Sequence, residues 1–287
     1  MLSVSEQCRI LGLPRSVYYE KRSGSASDEH REEEAERKAV HDSQCDRVLE
    51  EWTDHSSYGY IKMSHHMLRN GQEWATEYRI RTIYKELGLK GQTPVFITTK
   101  SAKGKVAKYP YLLRNRKIHY VNEVWATDIT YIKIGGCMVY FTAIIDLFSR
   151  KILSWRLSRT MDVLFCLDAL MEAVVRYGVP AIFNTDAGSQ YTSVEFTSYL
   201  NSLGVLISMD GTGRCKDNIF VERTWRTLKY EWVFLRDYQD YDQLERGLQE
   251  FVDFFNHERI HQGLDYQTPD EVYEQGTFPK IKENEVA

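Results

Sequence analysis

Hydrophobic and polar positions divide this chain into segments of two different periods. Over 123–134 they alternate: Val124, Ala126 and Asp128 share one face of an extended segment, and Trp125, Thr127 and Ile129 share the other. Gly135-Gly136 follows, and apolar runs resume over 138–146 and 151–157. A Gly-Gly pair between alternating runs predicts a hairpin. From 161 to 177 the period lengthens to that of a helix, with Leu164, Leu167, Leu170, Met171 and Val174 as the expected inward stripe. Short apolar runs at 181–185 and 205–209 predict two more strands, separated by a helix over 194–203. A long helical pattern starts at Asn218. A last amphipathic helix, 243–256, should pack Leu244, Leu248, Phe251 and Phe255 on the core. The fold class is α/β, a mixed five-stranded sheet with flanking helices.

The first third of the chain has no strand pattern. Over 5–19, Gly12 stands past one helix end and Pro14 at the start of the next. Two readings stay open: a helix-turn-helix fragment exposing Arg15 and Tyr18 or Tyr19 on its second helix, or a small packing hairpin. The acidic run 28–36 begins a helix expected to continue to Trp52, its acids forming a solvated face. A helical pair follows over 61–69 and 76–87, broken at Asn70-Gly71. Thr76 is placed to cap the second helix, and Ile80, Ile83, Tyr84 and Leu87 form its expected buried stripe. From 90 to 117 periodicity disappears. That stretch is rich in Lys, Gly and Thr, with Tyr109 and Tyr111 interleaved. It is either a basic linker tracking a nucleic-acid backbone or a flexible tether.

At 287 residues the chain can hold one sizeable core plus small modules. No apolar stretch approaches a membrane span, and the N-terminus lacks a signal-peptide plan. Five cysteines without Cys-x-x-Cys spacing point to a reducing compartment, the cytoplasm. A net charge of −4 argues against a nucleic-acid binder, but its distribution removes the objection. Between Leu87 and Asn122 there are eight Lys/Arg, among them Lys103, Lys105 and Lys108, and no acid.

Three carboxylates stand out against this frame. Asp128 lies inside an apolar strand, where an ionised group is costly unless paired or holding a cation. The run at 181–183 delivers Asp186 to a Gly-containing loop, and Glu222 stands in the first turns of the long helix. Intervals of 57 and 35 residues separate them. With no Cys or His beside them, they suit a hard ion such as Mg²⁺, with Mn²⁺ as a possible substitute. Two such ions about 3.5–4 Å apart can activate an attacking oxygen and stabilise a leaving one. Asp128 is expected to bridge them, with Asp186 on one and Glu222 on the other. On a regular helix Arg226 and Lys229 fall near the face of Glu222, Lys229 within about 20° and roughly 10.5 Å further along. There they would hold strand phosphates or form an exposed face. Ser189 and Gln190 would touch DNA or turn the chain, and Asp146 is expected to cap.

The words around these residues are specific. They include Trp125-Ala-Thr-Asp-Ile-Thr-Tyr131, Ile145-Asp-Leu-Phe-Ser-Arg-Lys151, Gly188-Ser-Gln-Tyr-Thr-Ser193, Asp217-Asn-Ile-Phe-Val-Glu-Arg223, Trp225-Arg-Thr-Leu-Lys-Tyr-Glu231 and Asn256-His-Glu-Arg-Ile-His-Gln-Gly263. With the Asp-57-Asp-35-Glu spacing, this ordered set resembles the catalytic, second-reading-frame subunit of bacterial insertion-sequence transposases of the family numbered three. Those are relatives of retroviral integrases in the DDE superfamily, and the resemblance covers nearly the whole chain. It implies a ribonuclease-H-like integrase core that cleaves one strand at an element end. The freed 3′-OH then attacks the other end, giving a circularised intermediate that is later integrated. Its partners would be double-stranded DNA of the terminal repeats and the target. It further implies a second helical DNA-binding module whose Arg79, Arg81 and Lys85 face phosphates, and a C-terminal signature, Asn256, Arg259 and His261, that anchors rather than reacts. Asn184, Ala187 and Ile260 depart from the family's common His, Gln and Pro, which touches loop contacts and not the carboxylates. His41, Cys45, His65 and His66 lack the paired spacing of the retroviral zinc module, so no zinc is expected.

The expected organisation is an N-terminal helix-turn-helix-like segment with the acidic helix (1–55), a second helical DNA-binding module (56–89) and a basic linker (90–119). A catalytic core with its C-terminal helix (120–275) and a tail (276–287) follow. Rival readings are a domesticated DNA-binding protein whose core only scaffolds, and a ribonuclease-H-type nuclease. The intact triad with Lys229 argues against the first, and the N-terminal helical modules against the second. Pairing two DNA ends requires self-association, yet no sustained heptads appear. The resemblance supplies an upstream-frame partner or fusion protein for that purpose, and a nucleoid-associated cytoplasmic location.

Overall fold

The computed structural model describes residues 3–92, 109–210 and 219–276, without the side chains of 20–30. Lys103, Lys105 and Lys108 lie outside the described residues. The chain divides into two compact units, Met1–Gly91 and Gln92–Ala287.

The first unit is helical. Helix α1 (Val4–Ile10) opens on a reciprocal cap, in which Ser3 accepts from the Glu6 N–H and the Glu6 carboxylate accepts from the Ser3 N–H at 2.9 Å. The chain turns at Gly12, whose φ of +63° favours glycine, and Pro14 precedes α2 (Arg15–Asp54). Here the structure differs from expectation: the short second helix and the acidic helix are one continuous element. No proline interrupts 15–54, and a single Gly24 within it costs only about 1 kcal/mol. Helices α3 (Tyr60–Arg69) and α4 (Glu77–Glu86) pack with α2 around Val48, Tyr58, Met63, Met67, Ile80, Ile83 and Tyr84. Thr76 caps α4 as expected, whereas Leu87 is 39% exposed because the helix ends there. Polar side chains fasten the helices. Glu51 meets His66 at 3.1 Å and Arg47 at 2.7 Å, and His41 meets Glu86 at 2.8 Å. In this way the structure gathers His41, Cys45 and Glu86, and separately Glu51, His55 and His66, which spacing alone does not pair.

The second unit is built on one sheet. β1 (Val124–Ile134) turns through Gly135-Gly136, both at positive φ, into β2 (Cys137–Asp146), and β3 (Ile152–Ser158) continues antiparallel. α5 (Leu164–Tyr177), β4 (Ile182–Thr185), α6 (Val194–Ser202) and β5 (Leu206–Met209) follow. β4 and β5 run parallel to β1, giving the order β3-β2-β1-β4-β5. Alternation along β1 separates two cores. Val124, Ala126 and Ile132 belong with α7 (Ile219–Thr227) and α8 (Tyr241–Asp253), while Trp125 belongs with α5 and α6. Leu244, Leu248, Phe251 and Phe255 are all buried, as their spacing predicts.

Two expectations need correction. The buried stripe of α5 is Phe165, Cys166, Ala169, Leu170 and Ala173, while Leu164 is 66% and Met171 44% exposed. The alanines bring the helix close to the sheet, where Ser154 Oγ donates to the Ala169 carbonyl at 2.6 Å. The long helix from 218 also does not stay regular. After Thr227 it widens into a π-turn, Leu228–Trp232. Beyond it, Arg259 grips Glu231 through two 2.8 Å bonds, and buried Asn256 pairs with both backbone groups of Ile152 on edge strand β3 at 2.9 Å. This matches the anchoring expected of the C-terminal signature. Among the described residues, no helix is long and apolar enough to cross a membrane.

Candidate active site

The strand register fixes the site. Ala126 of β1 is paired with Asn184 of β4, so two residues further along, Asp128 and Asp186 stand side by side at the mouth of the parallel pair. This is where the strand order reverses, β2 lying on one side of β1 and β4 on the other. Crevices at such switch points are the usual binding places of open α/β sheets. Asp128 is partly open to solvent on one side and otherwise surrounded by protein. Burial, reinforced by the neighbouring Asp186 charge, pushes its carboxyl up from an ordinary 3.8 to about 7.

Trp225 brings the third carboxylate. From α7 its indole Nε1 donates to Asp128 Oδ2 at 3.1 Å. Glu222 lies three residues earlier on the same helix, on the neighbouring surface position. It is exposed, and partial desolvation holds its carboxyl above the ordinary range. Asp186 is set by its loop. The Gly188 N–H donates to Asp186 Oδ1 at 2.9 Å, and a Cβ at Gly188 would stand 2.7 Å from that oxygen. Among the described residues, the sets of ligand atoms all within 4.8 Å of one another are the two in the first unit; the three carboxylates are spread more widely.

Lys229 stands in the π-turn, one residue past its start. Its Nζ lies 5.2 Å from the Tyr131 ring centroid; burial lowers its pKa, opposed by the Asp128 charge. Lys229 is therefore in electrostatic reach of Asp128. Arg226 is exposed in the last turn of α7. Ser189 is exposed on the loop, whereas Gln190 is 8% exposed and its amide donates to the Met161 carbonyl at 3.1 Å, which favours the chain-turning alternative for it. It ties two loops together. Asp146 caps as expected, fully buried, accepting from the Asn122 and Ser149 N–H groups at 2.8 Å each. In the first unit Arg15 is exposed at the start of α2. Arg79 is half-buried and engaged within the protein, to Gln44 at 2.7 Å and His41 at 2.9 Å. These bonds fasten α4 to α2.

Two residues escaped the sequence reading. Trp225 sits in a motif word but gives no signal of an indole aimed at a carboxylate 97 positions away. Asp210 looked like the first residue of a turn, yet its charge reaches Asp128. The register pairs Thr185 with Met209, so Asp210 follows Asp186 across β4 and β5.

Comparison with known proteins agrees with this geometry. Residues 119–215 match the integrase core domain family, and 203–269 match a second integrase core domain model. The chain is 27% identical over 288 residues to the transposase for insertion sequence element IS629 of Shigella sonnei, covering 99% of this chain and 95% of the relative. It is 30% identical over 185 residues to an uncharacterized transposase-like protein of Haemophilus influenzae, covering 63% of this chain and 85% of that one. A cryoEM structure of the simian T-cell lymphotropic virus intasome in complex with PP2A regulatory subunit B56 gamma shares the fold. Its TM-score is 0.51 at 20% identity, over 81% of this chain and 76% of that one. The chain belongs to the bacterial insertion-sequence transposases of the retroviral-integrase-like DDE superfamily.

Proposed function

We propose that this chain cleaves one DNA strand at the ends of a mobile element and joins the freed 3′-OH to a second phosphodiester, with Asp128, Asp186 and Glu222 holding divalent cations. The observation that carries this reading is the side-by-side placement of Asp128 and Asp186 beside the helix that bears Glu222. The donor set is all hard oxygen, which fits Mg²⁺ and accepts Mn²⁺. The raised Asp128 carboxyl is that of a buried acid beside a like charge and short of a countercharge, the situation a cation relieves. A pair of such ions supplies a polarised attacking oxygen and a stabilised leaving oxygen.

The chain's own residues then have separate tasks. Asp128, Asp186 and Glu222 would together hold the cations. Trp225 fixes the orientation of the Asp128 carboxylate by occupying one oxygen from α7. Lys229 and exposed Arg226 offer positive charge to the scissile strand, and Ser189 stands at the rim. Arg15 and Lys103, Lys105 and Lys108 contribute phosphate contacts along the terminal repeats and target DNA. Joining two ends requires two active sites in one DNA complex, so the chain self-associates there, aided by an upstream-frame partner or fusion. It works in the cytoplasm on nucleoid DNA, through a circularised intermediate.

An assay on labelled element-end DNA tests this. Cleavage and joining should both require Mg²⁺ or Mn²⁺ and both disappear in Asp128→Asn, Asp186→Asn and Glu222→Gln. Cutting without joining would favour a ribonuclease-H-type nuclease. Joining retained in Glu222→Gln would remove that residue from the site.

A further inference from the structure

The parallel register extends the row of acids by one strand. Ala126 pairs with Asn184, and Asn184 pairs with Ser208. Asp128 lies two residues past Ala126 in β1, and Asp186 and Asp210 are the first residues past the ends of β4 and β5. Residues in register on parallel strands point to the same face, and adjacent strands are about 4.8 Å apart. The three carboxylates therefore form a row with Asp186 in the middle. β5 is still docked at this level, because the Asp210 N–H donates to the Thr185 carbonyl at 2.9 Å. Asp210 also raises the proton affinity of Asp128, two strands away.

A buried amide holds Asp210 in place. Asn184 is fully buried, and its Nδ2 donates to Asp210 Oδ1 at 3.0 Å. A carboxylate accepts and does not donate, so this assigns the amide orientation. It leaves Asn184 Oδ1 with no hydrogen-bond partner among the described residues. A buried carbonyl oxygen without a donor bears its full desolvation cost. Asn184 thus fixes Asp210, whose carboxylate can only accept, one strand away from Asp186. Mg²⁺ usually keeps several of its waters, and those waters are donors.

We infer that Asp210, oriented by Asn184, is a positioning residue for the cation on the Asp186 side, accepting hydrogen bonds from its bound water. The inference rests on the reading of Asp128 and Asp186 as cation ligands. Asp128 and Asp186 touch the ion; Asp210 holds the water shell around it. This outer support should set how much Mg²⁺ the enzyme needs more than how fast it works once filled.

The test uses the full chain and two readouts. Mn²⁺ binding, followed by the loss of the free-ion electron paramagnetic signal, should weaken on the order of ten-fold in Asp210→Asn, the low end for lost outer-shell partners. Half-saturating Mg²⁺ for end cleavage should rise by a similar factor, with the rate at saturating Mg²⁺ much less affected. Asp210→Glu should recover part of the affinity. Asn184→Ser, which unties Asp210, should move both readouts the same way and carries the test if Asp210→Asn does not fold by circular dichroism. Unchanged Mn²⁺ affinity in folded Asp210→Asn, or a slower rate with unchanged half-saturation, overturns the inference and leaves Asp210 a turn residue. Asp128→Asn separates the two levels. If it abolishes Mn²⁺ binding while Asp210→Asn does nothing, only the present inference fails. If it too binds normally, the carboxylate reading fails first.

Discussion

Replacing Asp128 by Asn should abolish catalysis and, without divalent cations, make the protein more stable. In the folded state the carboxyl titrates at about 7 against an ordinary 3.8, because burial and Asp186 oppose its charge. At 1.36 kcal/mol per pH unit, the gap corresponds to about 4 kcal/mol of destabilisation once the group is ionised. Asp128 is open to water on one side, so about 2 kcal/mol is the working expectation. The sign follows from proton uptake. Between about pH 4 and pH 7 the native state retains a proton that the unfolded chain releases, so stability falls as pH rises through that window and levels off above it. Asn carries no such charge, still accepts from Trp225, and can donate to Asp186. In chelator at pH 8 the variant should melt about 4–8 °C higher than the natural chain, given a unit of roughly 200 residues. At pH 4.5 the difference should be no more than about half as large. Mg²⁺ should raise the melting temperature of the natural chain and leave the variant unmoved. A variant that melts lower at pH 8, or differs equally at both pH values, would refute the argument.

Gly188→Ala would place a Cβ 2.7 Å from Asp186 Oδ1, so end cleavage should drop at least ten-fold while urea stability changes by less than about 1 kcal/mol; normal cleavage would show that the loop adjusts freely. Asn256→Ala strips two backbone partners from Ile152 on the edge strand and should cost about 2–4 kcal/mol in urea unfolding, a loss under about 0.5 kcal/mol contradicting its anchoring role. Neutralising Lys103, Lys105 and Lys108 together should reduce the slope of log binding constant against log salt by about 2.7, from three released counterions; an unchanged slope makes that segment a tether.

The succession of strands along the chain and the elements that carry the acids were readable because β1 carries its alternation undisturbed and each later strand is an apolar run bounded by polar turns. The face of α5 was not. Between Leu164 and Val175 apolar residues occupy nearly every position, so two stripes compete. The stripe that won uses Ala169 and Ala173, whose value is closeness to the sheet rather than hydrophobic area. The widening at Leu228–Trp232 also leaves no mark in composition, so the end of the regular helix at Thr227 was not legible. Gln190 and Arg79 look like surface contacts in the sequence; their partners, Met161, Gln44 and His41, become neighbours only through tertiary packing. Asp210 was concealed by the glycine after it, which signals a turn more strongly than the register signals a row.

The indole bond from Trp225 to Asp128 bears on the protein's synthesis as well as its chemistry. The last strand, and with it Asp128 and Asp186, precedes α7 in the order of synthesis. A chain broken off between Gln92 and Ile219 keeps the helical unit, which has its own apolar core, but carries neither Glu222 nor the Trp225 bond to Asp128. If the three acids act as proposed, such nascent and truncated products are unable to cut the genome from which they are being expressed. If the helical unit grips element ends as proposed, such fragments would occupy those ends without acting on them, and premature termination would dampen mobility beyond simple loss of enzyme.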